Sequence, residues 1–574
     1  MGSYRVCMCF TRKFMTAEVR LPADVREAFG RYAEGGARMT AEQLRRFLVE
    51  VQGESTASVA EAEKIVKEVL LRRRHRVGKF IRNSLTLDDF FYFLFSIDLN
   101  PPVNSQVHQD MAAPLADYFI YSCHNSYLTG NQLSSNCSDI PIQKALQQGV
   151  RVIELDLWPN STKDNIHVLH GIRCLESIKE HAFSASPYPV ILTLEDHLTP
   201  LLQEKAAQMI TQTFGEMLWY PESECVKEFP SPEDLKYKVI VSTKPPKEYL
   251  EAEGSAAKGS SSEKEKDSDE GDDHKSSQQD DERKIDSEGN EQNQLVYEDE
   301  MQHTKSVAYK RLIAIPSVPR RKKMEESLKV DPDNVGRLSL SEQAVEKAAN
   351  SHGTDLVRFT QKNILRIFPK TTRFDSSNYN PLPGWRHGAQ MVAFNMQGYG
   401  GPLWLMQGMF RANGGCGYVR KPDFLMHLSP DGQVFHPKLK LPVKMSLKVK
   451  VYMGDGWNLD FKRTHFDLYS PLDFYTKVGI AGVAADETMK NTRTKKDEWA
   501  PVWEEEFTFP LTVPELALLR VEVYEHDAAE SDDFAGQTCL AVSELRQGIH
   551  AVPLYDFVGD KYDSVKLLMR FLFV

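Results

Sequence analysis

The sequence lacks any run of about 20 apolar residues, the length that a helix needs to cross a bilayer. Its eight cysteines contain no C-x-x-C pair, and the first residues show no apolar segment of the secretory type. We therefore expect a reducing, intracellular location and, at most, peripheral contact with a membrane. A length of 574 residues predicts three or more domains.

Apolar residues are also nearly absent from one internal segment, Glu251 to Glu300. This segment holds 18 acidic and 6 basic side chains, a net charge of −12, whereas the whole chain carries −11. Such a composition buries too little apolar surface to offset the entropy lost on ordering. We predict a disordered acidic linker over residues 251–310.

The stretch from Asp117 to Gln132 organises the middle of the chain. Its apolar run, residues 118–121, predicts a buried strand, and His124 and Asn125 follow that strand directly. A buried strand that ends in polar side chains is typical of the mouth of a (β/α)8 barrel.

Acidic side chains occupy the later strands of the same pattern. In the strand RVIELDL, Glu154 and Asp156 are two residues apart and therefore share a face. The strand YPVILTLED ends near Glu195, and the segment 168–171, which we interpret as a further strand, supplies His170. Two carboxylates on one face of an apolar strand resist burial unless a cation lies between them. The pattern predicts a metal site at the barrel mouth.

These segments resemble a known family. HNSYL, RVIELDLW, LHG and PVILTLE are similar to the X region of eukaryotic phosphoinositide-specific phospholipase C, and SSNYNPLPGW and NGGCGYVRKP are similar to its Y region. The resemblance covers nearly the whole chain and is to the plant type, without a pleckstrin homology domain. It implies a multidomain fold: an N-terminal tail (1–20), a helical EF-hand-like lobe (21–103), the X half of a TIM-like (β/α)8 barrel (108–250), the acidic insert (251–310), the Y half (311–440) and an antiparallel β-sandwich of C2 type (442–574).

The resemblance implies calcium-dependent hydrolysis of phosphatidylinositol 4,5-bisphosphate to inositol phosphate and diacylglycerol through a cyclic phosphodiester. The implied calcium ligands are oxygen donors, the type that a hard cation prefers: Asn125, Glu154, Asp156 and Glu195. Glu154 or a neighbouring carboxylate then takes the proton of the inositol 2-hydroxyl. His124 donates to the phosphoryl oxygens, and His170 protonates the departing oxygen.

Head-group recognition departs from the family in two places. Lys244 retains one of two family lysines, and Ser242 stands in place of the other. Ser339 and Arg366 match contacts to the ring phosphates, and Phe368 replaces a tyrosine that stacks on the inositol ring. Phosphatidylinositol 4-phosphate is therefore expected as a co-substrate, and the preference between the two lipids stays open.

Residues 21–103 show the apolar periodicity of helices, which we predict at 24–32, 41–51, 59–71 and 87–97. Their pairing resembles an EF-hand lobe. The loop YAEGGARMTAEQ, however, lacks the alternating Asp or Asn ligands and the closing Glu of a calcium site. We predict a helical prop for the barrel instead of a calcium sensor.

After Pro442 the pattern contains strands only: SLKVKVYMG, DFYTKVGIAG, EEEFTFPL, LLRVEVYEHD and VKLLMRFLF. Short strands at this spacing predict a β-sandwich. The sandwich resembles a C2 domain whose loops carry a calcium-binding cluster: Asp467, Asp473, Glu525, Asp527 and Asp533.

The chain's first residues place Cys7 and Cys9 beside Arg5, Arg12 and Lys13. This composition fits either an acylated basic anchor or a frayed tail, and the sequence leaves both open.

We expect phosphoinositide lipids of anionic membranes as partners, no nucleic acid, and a peripheral location at the cytoplasmic face of the plasma membrane. Protein partners and oligomeric state are open, as is whether the acidic insert shields the barrel mouth. One alternative is a catalytically silent, calcium-dependent membrane adaptor. Another is a metal-independent phosphodiesterase, which carries a basic residue where this chain keeps carboxylates. The complete set of histidines and carboxylates favours the calcium-dependent enzyme.

Overall fold

A computed structural model of the chain describes residues 2–6, 10–14, 21–73, 83–167, 171–223, 226–246, 307–461, 472–527 and 531–574. Several predictions concern residues outside these ranges: the acidic insert up to residue 306, acylation of Cys7 or Cys9, His170 and Asp467. At the N-terminus, strands Gly2–Val6 and Phe10–Phe14 pair antiparallel. Among the described helices, none is long and apolar enough to span a membrane.

The N-terminal lobe contains the predicted helices, at Ala23–Tyr32, Ala41–Glu50, Val59–Arg72 and Leu87–Leu94. The last three begin with capping boxes, in which an N-cap hydroxyl and the side chain three residues later satisfy each other's backbone N–H groups. Short strands Met39–Thr40 and Ser84–Leu85 pair between the helices.

We predict that this lobe supports the barrel, and that prediction is wrong about which domain the lobe contacts. The lobe's apolar core is continuous with Tyr452, Ile549 and Leu568 of the C-terminal sandwich. The side chain of Gln52 also donates to the carbonyl of Ile549 at 2.8 Å. The lobe therefore packs on the sandwich.

In the described part of the middle region, eight parallel strands pair in chain order. The two main sheets are joined to each other by single backbone pairings of Ser122 with Val152 and of Ser317 with Arg337. The pairing of Met391 with Ile120 closes the ring. The predicted (β/α)8 barrel is thus confirmed. Its strands are β1 (Tyr118–Ile120), β2 (Val152–Pro159), β3 (Val190–Asp196), β4 (Val239–Thr243), β5 (Ile313–Pro316), β6 (Arg337–Ser341), β7 (Ile364–Phe368) and β8 (Met391–Val392).

Helices cover the outside of this barrel. Strand Tyr418–Arg420 additionally pairs antiparallel with β1. The described helices of this region are Ile140–Gln147, Gly171–His181, Pro200–Phe214, Val307–Leu312, Met324–Ser327, Glu342–Ser351, Gly353–Thr360, Leu382–Arg386, Gly401–Phe410 and Asp423–Met426.

Within the segment 168–171, which we predict as a strand, residues 168–170 lie outside the described ranges. A short strand before it, Ile166–His167, pairs antiparallel with Trp158 and Pro159 at the end of β2, and Gly171 begins a helix.

The alternation of side chains along the barrel strands sorts apolar from polar residues. Inward-facing residues at the strand starts fill the base of the barrel with an apolar cluster that includes Ile120, Val152, Ile191, Ile240 and Ile364. Two residues further along each strand, the next inward positions are polar. These positions are Ser122, Glu154, Thr193, Ser242 and Arg366. The polar layer therefore rests on an apolar floor.

The C-terminal region is an antiparallel sandwich, as predicted. It has two four-stranded halves, joined by a single described residue pair, Gln537 with Tyr555, around an apolar core. Its strands are β9 (Met445–Asp455), β10 (Phe474–Ala481), β11 (Thr488–Asn491), β12 (Val502–Leu511), β13 (Leu518–Glu525), β14 (Asp533–Ala541), β15 (Gly548–Tyr555) and β16 (Lys561–Phe573).

Candidate active site

A buried ion-pair cluster lies in the polar layer of the barrel. Glu154, which is 2% exposed, accepts a hydrogen bond from the guanidinium of Arg366. A second nitrogen of Arg366 lies 3.6 Å from Oε1 of Glu195. Burial alone would raise the pKa of Glu154, but the adjacent Arg366 charge holds that pKa below its usual value. Arg366 thus occupies the space between two of the predicted calcium ligands.

A second guanidinium, which the sequence analysis did not identify, lies beside this cluster. Arg337 on β6 is 1% exposed, and its NH2 group lies 4.0 Å from Oε1 of Glu195. Its Nε and NH1 groups have no hydrogen-bond partner among the described residues. Burial, together with the charge of Arg366, lowers the pKa of Arg337 to about 10. Its position two residues before Ser339, on the same inward face, was the available signal.

Asp156 lies one inward position above Glu154, and its strand partner is Glu195. The hydroxyl of Tyr127 donates to Oδ2 of Asp156 at 2.8 Å. Burial raises the pKa of Asp156 to about 7, and the charge of Glu154 contributes further. Tyr127 is a functional candidate that the sequence analysis missed, although it stands within the motif HNSYL.

The loop after β1 fixes His124 by two contacts. Its backbone N–H donates to the carbonyl of Phe394 at 2.7 Å, and its Nδ1 lies 3.0 Å from Oδ1 of Asn395. The same oxygen accepts from Nε2 of Gln132 at 3.1 Å. Because an amide oxygen can only accept, Nδ1 of His124 carries the hydrogen and Nε2 remains the proton-exchanging atom. Burial lowers the pKa of His124.

Asn125 follows in the left-handed region, with φ of 43°. Its Nδ2 donates to Oε1 of Gln132 at 3.1 Å, so the opposite atom of the amide, Oδ1, is turned away from that contact. Sequence reasoning gave no role to Gln132 or Asn395, because their spatial partners are set by the closure of the barrel.

Two buried oxygens test whether this site fits a hard cation. Oδ1 of Asn125 and Oε2 of Glu154 have no hydrogen-bond partner within the described part of the chain. An unpartnered buried acceptor is costly, and a cation with oxygen ligands satisfies it. No set of three or more His, Cys, Asp or Glu side chains in the described ranges is arranged to hold a metal, since Arg366 and Tyr127 hold the carboxylates here. The donor types nevertheless fit calcium.

The predicted head-group residues surround this cluster. Ser339 and Arg366 are neighbours in the register of β6 and β7, and Oγ of Ser339 lacks a partner in the described chain. The ring of Phe368 lies 5.4 Å from the guanidinium of Arg366. Lys244 is exposed just after β4, whereas Ser242 is buried and donates to the carbonyl of Ile315 at 3.1 Å.

The sandwich brings together part of its predicted calcium cluster. In the sheet, Glu525 of β13 lies opposite Phe474 of β10, which follows Asp473 in the chain. On its other side, Glu525 lies opposite Asp533 of β14. Burial raises the pKa of Glu525 to about 7, and the neighbouring aspartates add to the rise. Its Oε2 is a further buried oxygen with no described partner. Asp532, which the sequence analysis missed, accepts from Tyr475 at 2.6 Å.

Comparisons with known proteins agree with this architecture. The family models that match are "Phosphatidylinositol-specific phospholipase C, X domain" at residues 111–245, its Y domain at 310–424, the C2 domain at 445–556 and "Phosphoinositide-specific phospholipase C, efhand-like" at 20–100. The chain is similar to the crystal structure of S. officinalis PLC21, with a TM-score of 0.70 at 22% identity, over 96% of this chain and 68% of that one. This likeness supports the fold.

Sequence relatives extend the comparison to activity. Phosphoinositide phospholipase C 4 of Arabidopsis thaliana is 59% identical, over 100% of this chain and 99% of that protein. Phosphoinositide phospholipase C 6 of the same plant is 56% identical, over 100% of this chain and 97% of that protein. A split catalytic barrel with an EF-hand-like lobe and a C2 sandwich defines a class of membrane-lipid hydrolases. The chain belongs to the phosphoinositide-specific phospholipase C family.

Proposed function

We propose that this phospholipase C cleaves phosphatidylinositol 4,5-bisphosphate and phosphatidylinositol 4-phosphate in a calcium-dependent reaction. The observation that carries the proposal is the pair of unpartnered buried oxygens, Oδ1 of Asn125 and Oε2 of Glu154, beside Asp156. These two oxygens accept no hydrogen bond from the described residues, and both lie within the segments that resemble the family's X region.

Asn125, Glu154, Asp156 and Glu195 are the residues that would hold calcium. When bound, calcium lowers the pKa of the inositol 2-hydroxyl and stabilises negative charge at phosphorus. Because all four residues lie on barrel strands or on the loop after β1, the barrel fixes their backbones, and calcium would replace Arg366 as the cation beside Glu154 and Glu195.

The chain's own residues move the protons. Glu154 or a neighbouring carboxylate accepts the proton of the 2-hydroxyl, whose oxygen attacks phosphorus and forms a cyclic phosphodiester as the bond to diacylglycerol breaks. His170 gives a proton to the departing oxygen. In its imidazolium form, which the negative charge of the phosphoryl group favours, His124 donates from Nε2 to the phosphoryl oxygens while Nδ1 donates to Asn395. Water then opens the cyclic ester with the proton transfers reversed.

Ring phosphates are recognised by Ser339, Arg366 and Lys244, and Phe368 offers a ring face to the inositol. Arg366 and Ser339 lie side by side in the barrel register, and Lys244 is exposed near the rim of the mouth. Because buried Ser242 takes the place of a family lysine, the site has less positive charge to distinguish the bisphosphate from the monophosphate.

Membrane contact is assigned to the sandwich. Asp473, Glu525, Asp527 and Asp533 are its calcium ligands within the described chain, and their neutralisation by calcium favours an anionic bilayer. We place the enzyme at the cytoplasmic face of the plasma membrane.

The test measures inositol phosphate release from vesicles that contain either lipid, across a range of free calcium. Glu154→Gln and Asp156→Asn should abolish turnover while vesicle binding persists, because the sandwich carries its own calcium ligands. Glu216→Gln, a change at an exposed carboxylate beside the barrel, is the matched control. Near-native activity of either active-site variant at saturating calcium would show that the metal assignment is wrong.

A further inference from the structure

Three exposed apolar side chains gather where the sandwich meets the barrel. Tyr399 is 59% exposed, Phe557 44% and Val558 42%, and the rings of Tyr399 and Phe557 are 5.4 Å apart. We call these three residues the seam patch. Scattered exposed apolar residues are ordinary, but adjacent ones contributed by two domains indicate an interaction surface.

The sandwich side of the patch lies at the end that carries the predicted calcium loops. Phe557 and Val558 belong to the turn between β15 and β16, and Tyr555 at the end of β15 pairs with Gln537 near the start of β14. Strand β14 begins at Asp533, one of the predicted calcium ligands. The next residue, Phe534, packs edge-on against Phe557, with ring centroids 5.3 Å apart.

The barrel side of the patch lies at the edge of the catalytic mouth. Tyr399 follows Asn395, the residue that orients His124, by four positions. The indole N–H of Trp404 donates to the carbonyl of Phe557 at 3.0 Å, and Nε2 of Gln407 donates to the carbonyl of Val558 at 3.1 Å. The backbone of the turn therefore faces the barrel while its apolar side chains remain exposed.

The turn is held rigidly in this orientation. The carboxylate of Asp556 accepts from the N–H groups of Val558 at 3.0 Å and Asp560 at 2.8 Å. Gly559 has a φ of 93°, and a Cβ at this position would overlap the side chain of Gln407. The exposure of Phe557 and Val558 is thus a fixed property of the joint between the two domains.

We propose that the seam patch inserts into the interfacial layer of the lipid bilayer and orients the catalytic mouth toward its substrate. The substrate is a membrane lipid, so the mouth must face the bilayer during catalysis. Tyr399 lies four residues after Asn395, which contacts His124 in the mouth, and Phe557 and Val558 lie at the end of the sandwich that carries Asp533. In the interfacial layer, aromatic and aliphatic side chains move from water into an apolar environment, which favours binding. The polar backbone of the turn keeps its hydrogen bonds to the protein.

The test replaces two of the three residues of the seam patch. Tyr399→Ser with Val558→Ser keeps Phe557, whose ring also packs against Trp404. The double variant loses two apolar side chains that would be partly buried in the bilayer. It should therefore bind phosphatidylcholine–phosphatidylserine vesicles about tenfold more weakly. Hydrolysis of a soluble head-group substrate and the thermal midpoint should stay at wild-type values.

Leu71→Ser is the matched control. Leu71 is 61% exposed on helix Val59–Arg72, in the lobe that packs near Ile549 at the opposite end of β15 from the patch. Its replacement should leave vesicle binding unchanged.

A second pair of variants reports insertion directly. The added fluorescence of Val558→Trp should be quenched by brominated lipid in the vesicles, and that of Leu71→Trp should not. Unchanged vesicle binding by the double serine variant, or no quenching of the added fluorescence in Val558→Trp, would overturn the proposal. A wild-type dimer in sedimentation that the double variant dissociates would instead assign the patch to a second copy of the chain.

Discussion

Arg366 and Glu154 form an ion pair inside the barrel, with their side chains only 4% and 3% exposed. The same guanidinium also approaches Glu195 to 3.6 Å. The proposed function gives these groups other partners: the carboxylates bind calcium, and Arg366 binds a ring phosphate. Without either ligand, Arg366 supplies the positive charge that the buried carboxylates require.

Removing this internal cation should therefore strengthen calcium binding to the barrel. Arg366→Met is expected to bind calcium several-fold more tightly than wild type, because no guanidinium competes for Glu154 and Glu195. Hydrolysis should nevertheless fall, since the phosphate contact is lost. Calorimetric titration without lipid measures the calcium affinity of the barrel. Both proteins also carry Asp473→Asn and Asp527→Asn, which remove calcium binding by the sandwich.

Arg358→Met is the control for this prediction. Arg358 is exposed on helix Gly353–Thr360 and pairs with Asp355 at 3.2 Å. Its loss should leave calcium affinity unchanged. If Arg366→Met binds calcium no better than Arg358→Met, the guanidinium and calcium do not compete.

The leaving oxygen gives a separate test of His170. An alkoxide needs a proton to depart, whereas an activated phenolate departs without one. His170→Ala should reduce cleavage of the lipid far more than cleavage of a substrate with a nitrophenyl leaving group. His124→Ala should reduce both, because it acts on the phosphoryl oxygens.

The ratio of the two rates for each variant is the measurement. Equal losses with both substrates in His170→Ala would remove this histidine from the general-acid role. The wild-type ratio and the His124→Ala ratio serve as the references.

Local sequence patterns were sufficient where neighbours along the chain decide the structure. The capping boxes at Thr40, Ser58 and Thr86 explain why the helical lobe was predictable within a few residues at most ends. The alternation in β2 likewise placed Glu154 and Asp156 on one inward face. The predicted sandwich lacked β11, β14 and β15, whose sequences contain glycine, proline or many exposed polar residues and so give a weaker strand signal.

Contacts between distant segments were less predictable. Arg337 and Glu195 are separated by the acidic insert and meet only because the barrel closes. Asn395 reaches His124 for the same reason, since β8 pairs beside β1. The lobe was assigned to the barrel because an amphipathic helix shows which of its faces is buried but not which domain covers that face.

His550 should make folding sensitive to acid. Burial lowers its pKa to about 4, below the ordinary value of about 6.5. Between these values the unfolded chain binds a proton that the folded chain does not, so stability falls as pH drops from about 6.5 toward 4. The loss for this group is on the order of 3 kcal/mol. His550→Gln should flatten that part of the profile of thermal midpoint against pH.

Glutamine is chosen because it can keep a donor to the carbonyl of Gln547, which lies 2.9 Å from Nε2 of His550. His427→Gln, at an exposed histidine after helix Asp423–Met426, is the control and should leave the profile unchanged. Parallel profiles for wild type and His550→Gln would show that His550 does not cause the acid sensitivity.

The acidic insert is attached to the barrel at both ends, close to the catalytic mouth. Thr243 ends β4, and its hydroxyl lies 3.5 Å from that of Tyr309, just after the insert. A segment with a net charge of −12 in residues 251–300 is therefore tethered near the mouth. An anionic bilayer opposes each nearby negative charge by about 1 kcal/mol, within a Debye length of about 8 Å at physiological salt.

Deletion of residues 251–300 should raise activity on anionic vesicles several-fold, with a smaller gain at high salt and little change on a soluble substrate. The matched variant keeps the length of the insert and replaces its acidic residues by Asn and Gln. If charge is the cause, this neutral insert should reproduce the effect of the deletion. If the neutral insert behaves like wild type while the deletion is more active, the effect comes from the bulk of the chain, and electrostatic shielding of the mouth is wrong.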